Sequence, residues 1–143
     1  MLAPDRETVW QSATSIAGLR REMMPLLAMT APAGFEHLAD GDIQLGKAVF
    51  RSRLLIGGVL PAGTSMLTFS SFDLGSGFVE QSPMTGMRHW RHERRIDDVR
   101  GGCRVTDTLN FEPSLFPGMT KRLVELFFHH RHRRLRRMFG EIQ

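Results

Sequence analysis

The chain has 143 residues, 41% of them hydrophobic and 24% charged, which fits one domain with a real core and excludes a disordered segment. Cys103 is the only cysteine, so an internal disulfide is excluded, and no apolar run approaches the roughly 18–20 residues that span a bilayer. The net charge of +4 is uneven: residues 1–120 carry 12 Lys/Arg against 13 Asp/Glu, whereas residues 121–143 carry 7 against 2, so the basic character belongs to the C-terminal element.

In chain order, Asp5, Arg6 and Glu7 stand where a signal peptide needs its apolar stretch, and a cytoplasmic location is expected. Pro4 with Asp5 and Glu7 predicts a helix start, and Val9 and Trp10 give that short helix a buried face. Thr14 or Ser15 is placed to cap a second helix through Ile16, Leu19 and Met24, which Pro25 ends. Residues 29–46, with Pro32, Gly34, Gly41 and Gly46, read as loop.

From Lys47 the apolar period changes to two. Phe50, Ser52, Leu54, Ile56 and Leu60 share one face, and Lys47, Arg51 and Arg53 the other. Pro61-Ala62-Gly63 reads as a turn, followed by a strand over about 64–73. Gly75-Ser76-Gly77 then turns into a strand at about 78–82.

Residues 87–96 and 103–111 predict a hairpin around a loop from Asp97 to Gly102. Its inner face carries Trp90, His92, Arg94 and Ile96 opposite Cys103, Val105, Asp107, Leu109 and Phe111. Pairing symmetric about that loop sets Trp90 against Leu109, His92 against Asp107 and Arg94 against Val105. Pro113 and Pro117 end the sheet. Val124, Phe127, Phe128, Leu135, Met138 and Ile142 recur at helical spacing, predicting one helix from about 116 to 139, stopped near Gly140. The fold class is therefore α+β, a curved antiparallel sheet whose apolar face the final helix covers, in one domain over 1–143.

Four stretches in order resemble the SRPBCC (START-like, helix-grip) ligand-binding superfamily, over nearly the whole chain. They are Ala3-Pro4 with Val9-Trp10 and Met24-Pro25; Met87-x-x-Trp90-x-His92; Val105-x-Asp107-x-Leu109-x-Phe111; and Phe128-His129-His130-Arg131. The resemblance implies a sheet wrapped around the last helix with an apolar cavity between them. It also implies binding of a lipid, polyketide or similar ligand, or cyclase-type chemistry in a few members. Met87 and His130 depart from the family's Phe and Tyr. Only Met1 and Leu2 precede Ala3, where the family has a full strand. Either the natural start lies upstream, or the sheet lacks its first strand and has an open edge through which the protein could form a homo-oligomer.

His92 and Asp107 are the sharpest candidates, since two polar groups on an apolar face favour pairing. They read as a register-fixing buried pair, as a polar anchor for a ligand, or as a catalytic acid–base dyad. Phe50, Leu54, Met66, Trp90, Leu109, Phe127 and Phe128 read as cavity lining. Arg131 lies on the apolar stripe, with its head expected on a carboxylate or carbonyls. The surrounding run of His129, His130, His132 and Arg133, Arg134, Arg136, Arg137 reads as a solvated helix end, or else as a surface for RNA, an acidic partner or anionic membrane. No Gly-rich phosphate loop, CxxC pair or nucleophile elbow is present, and neither a cofactor nor a metal is expected. The leading expectation is a module for a small hydrophobic ligand held between sheet and C-terminal helix. The alternatives are a cyclase or dehydratase using the same pocket, and an interaction protein using the basic helix end.

Overall fold

The computed structural model describes residues 2–38 and 43–140; Gly41 and Ile142 lie outside them. Two short helices open the chain, α1 (Arg6–Ala13) and α2 (Ile16–Met23). Asp5 caps α1 by accepting from the Thr8 N–H at 2.8 Å, and Ser15 caps α2 by accepting from the Gly18 N–H at 2.9 Å. Met24 follows as the C-terminal cap of α2, joined by a cis peptide bond to Pro25. Val9, Trp10 and Ala13 are buried, as the apolar spacing of α1 requires.

Six strands then form one antiparallel sheet in sequence order: β1 (Leu27–Met29), β2 (Ala48–Ile56), β3 (Leu60–Asp73), β4 (Gly77–Gln81), β5 (Met87–Val99) and β6 (Gly102–Pro113). The sheet curls into a half-barrel, and the long α3 (Pro117–Phe139) crosses it and ends at Gly140. The arrangement is that of a helix gripped by a sheet. Val9, Trp10, Leu38, Phe50, Leu67, Phe69, Phe78, Ile96, Cys103 and Leu135 form one contiguous core.

Three local readings are corrected. The β2–β3 turn is Gly57-Gly58-Val59, because both glycines adopt the positive φ a tight hairpin needs. Pro61-Ala62-Gly63 instead lies within β3 at a bulge, where Leu54 pairs with Gly63 and Leu55 with Pro61. The bulge breaks the alternation, so Ile56 and Leu60 end exposed although Phe50 and Ser52 are buried. In β5–β6 the strands run on to a turn at Arg100-Gly101, so the expected six-residue loop is largely strand. The register shifts by two residues: Trp90 opposes Phe111, His92 opposes Leu109 and Arg94 opposes Asp107. A two-residue shift preserves the face, and the inward set is the expected one.

Ahead of α1 the described residues form no full strand. Leu2 alone bridges to Cys103, with backbone hydrogen bonds of 2.7 and 2.9 Å. Beyond Cys103 the outer edge of β6 has no strand partner among the described residues.

Candidate functional site

Arg94 is the centre of a buried ionic network. It projects from the inner face of β5 and is 1% exposed. Its Nε and Nη2 donate to the two oxygens of Asp107 at 2.7 and 2.8 Å, and its Nη1 to Glu22 of α2 at 2.9 Å, with a further bond from Nη2 to Glu22. Arg131 of α3 donates its Nε to the same Glu22 at 2.8 Å, and its guanidinium lies 4.9 Å from the Phe128 ring centre. Two guanidiniums thus neutralise two carboxylates, which burial of charge demands.

Two histidines complete the network around Asp107: His92 Nε2 lies 2.7 Å from Oδ1, and His132 Nε2 lies 2.6 Å from Oδ2. The predicted proximity of His92 and Asp107 is present, but diagonally across the strands. On its other side His92 Nδ1 faces Glu80 at 3.7 Å, long for a hydrogen bond, while Ser82 donates to Glu80 at 2.7 Å. Burial acts to raise the carboxyl pKa values of Glu22, Asp107 and Glu80. Arg131 and Arg94 outweigh it at Glu22, Arg94 and then the two histidines outweigh it at Asp107, and His92 and Ser82 outweigh it at Glu80. All three carboxyls are held below their ordinary values, Asp107 well below.

The network forms a wall between two spaces. On one side is a mostly apolar cavity of about 60 Å³, bounded by Leu19 and Met23 of α2, Met29 and Ala31, and Phe50, Leu67, Phe69 and Phe78 of the sheet, with a polar end made by Glu80, His92 and Arg131. On the other is an open groove of about 360 Å³ between β6 and α3, lined by Asp107, Leu109, Glu125, Phe128, His129, His132 and Arg136. The cavity is roofed chiefly by α2 and the chain after β1, and α3 contributes Arg131.

The predicted lining residues are therefore divided. Phe50 and His92 line the cavity, whereas Asp107, Leu109 and Phe128 line the groove. Leu54, Met66, Trp90 and Phe127 border neither. Met66 is on the opposite face of β3 from Leu67 and Phe69, and Leu54 is at the bulge. Trp90 packs between Phe111 and Phe128, its buried Nε1 without a hydrogen-bond partner. Glu22 was not singled out from sequence, and His132 was read only as part of the basic run. The available signal was position: Glu22 follows Leu19 by three residues and His132 follows Phe128 by four, each beside its helix's apolar stripe.

The basic run is partly tied down. His130 Nε2 donates to the Met24 carbonyl at 2.7 Å and Arg134 Nε to the Arg21 carbonyl at 2.8 Å, fixing α3 on the end of α2, where carbonyls favour cations. Among the described residues no group of three or more His, Cys, Asp or Glu is placed to hold a metal ion, and no helix is long and apolar enough to cross a membrane.

A curled antiparallel sheet around a long helix, with an apolar cavity against a charged wall, defines the class of protein. The chain belongs to a family described as a domain of unknown function, DUF8410, matched over residues 1–139. Its fold is similar to that of protein CV1439 from Chromobacterium violaceum, with a TM-score of 0.73 and 12% identity, over 99% of this chain and 93% of that one. No curated protein matches the chain.

Proposed function

We propose that this domain is a cytoplasmic binding module of the SRPBCC type that holds a small hydrophobic molecule, of lipid or polyketide character, with one polar end. The observation that carries the reading is the cavity: a mostly apolar wall, with Glu80, His92 and Arg131 gathered at one end and Arg20 and Thr30 the other polar residues on its lining. Burial of apolar surface would drive binding, and the polar end would set orientation. At about 60 Å³ the cavity is well below the roughly 300 Å³ where pockets for drug-sized ligands begin. A larger ligand enters by displacing Met23 and Met29, whose unbranched side chains move at low cost.

A cyclase or dehydratase using the same pocket ranks second. His92 has one ring nitrogen on Asp107 and the other 3.7 Å from Glu80, so both ring nitrogens face carboxylates of the protein itself.

The test is native mass spectrometry of the purified protein, followed by thermal shifts with a short-chain fatty acid, its alcohol and an aromatic alcohol. A ligand at about 100 times its Kd stabilises by about 2.7 kcal/mol. Leu67→Trp, which fills the cavity, should abolish the shift. No retained mass and no shift with any probe would sink the reading.

A further inference from the structure

The first half of α3 is apolar on two sides, and only one is covered. Val124, Phe128, Arg131 and Leu135 face the body of the domain. On the outer side Phe116, Met119, Leu123 and Leu126, spaced by three or four residues, form a second stripe beside Leu115. These five side chains are between 58 and 72% exposed. A stripe of that length on a soluble surface marks a contact. Phe116 adds a second observation, since it holds φ at 47°, a left-handed conformation costly for a bulky residue, and does so with its ring in solvent.

Charge identifies the partner. Arg122, Arg133 and Arg137 are four, seven and eleven residues from Leu126, so they project on the same side of the helix, all exposed. Glu125 is the only acid from Pro117 to Phe139, and it belongs to the groove side with His129 and His132. The outer face thus carries an apolar stripe, with Arg122 beside it, in its first half and is cationic in its second. We propose that it docks on the surface of an anionic lipid bilayer, with Phe116, Met119, Leu123 and Leu126 entering the acyl boundary and the arginines meeting lipid phosphates.

Other occupants fit less well. Two copies paired antiparallel would set arginines of one on leucines of the other, and paired parallel would stack arginine on arginine. A nucleic acid would answer the arginines and leave the apolar stripe in water. The surface is separate from the cavity, so either reading can fail without the other.

The experiment is flotation of the full chain with phosphatidylcholine vesicles, and with vesicles containing about one part phosphatidylserine to two parts phosphatidylcholine. Binding is expected to the second and to weaken as salt rises. Leu123→Glu and Leu126→Gln should each lower partitioning about tenfold, and Arg133→Gln or Arg137→Gln about fivefold. All four sites are exposed, and circular dichroism with urea midpoints should show the fold intact. Three results overturn the proposal: no vesicle binding; binding to single-stranded RNA that needs the arginines and ignores the leucines; or leucine variants that convert a dimer to a monomer while vesicles stay unbound.

Discussion

Asp107 accepts from four nitrogens, Nε and Nη2 of Arg94 and one each of His92 and His132. Glu22 accepts from three, two of Arg94 and one of Arg131. Every one of these donors other than His132 is essentially shut away from water, so the carboxylates replace the solvation that Arg94 and Arg131 lose as well as add attraction. Removing one carboxylate is therefore worse than removing a surface pair. Glu22→Gln strips the anion from between Arg94 and Arg131, and should destabilise the domain by about 3–5 kcal/mol in urea unfolding. Replacing Glu22 and Arg131 together by leucine should cost less than the sum of the single changes, because no lone charge is left on that side.

At the scale of elements, the network depends on where α2 sits. Gly18 packs against the carbonyl of Ser12, and a Cβ there would lie 1.9 Å from that oxygen. Gly18→Ala must push α2 away from α1, and Glu22 moves with it, one helical turn on. A loss of about 1–3 kcal/mol in urea unfolding is expected, larger than helix propensity alone would suggest and opposite in sign. The elements themselves were largely legible. The expected final helix, 116 to 139, is Pro117–Phe139, since a proline start, a glycine stop and a 3.6-residue period all agree. The inner face of β5 and β6 was legible for the same reason, a strict period of two. Their register was not, because it is fixed by the turn, and Arg100-Gly101 carries a weaker signal than the charged stretch around it. Glu22 was invisible as a partner because the two residues it serves come 72 and 109 positions later.

For the whole molecule, the network sets the response to acid. The folded carboxyls of Glu22, Glu80 and Asp107 bind protons less tightly than in the unfolded chain, where the ordinary values are 4.5 for the glutamates and 3.8 for the aspartate. As pH falls through that range the unfolded state takes up protons that the folded state does not, so stability declines. Their contribution is fully present above about pH 5 and is lost progressively below about pH 4. Urea midpoints from pH 7 down to 3 should show this, and Asp107→Asn should flatten the acid limb. The cavity was legible from sequence only as a possibility, because an apolar face reads alike whether its far side is filled or empty. Its roof was misplaced for a related reason. The apolar stripe of α2 is too short to announce that this helix, rather than α3, covers the concave face.

The span of the network has a consequence for how the chain is made. Synthesis runs from the N-terminus, so Glu22 leaves the ribosome 72 residues before Arg94 and 109 before Arg131. Until then it has no cation to accompany it inward, and it must remain in water with α2 undocked. Arg94 and Asp107 arrive 13 residues apart and can pair within their own hairpin. The strands can therefore pair before α3 is in place, but the concave face then stays uncovered to solvent and chaperones. Only with Arg131 present is Glu22 held from both sides, so a chain truncated before that residue should be open to proteases at α2 although all six strands are present.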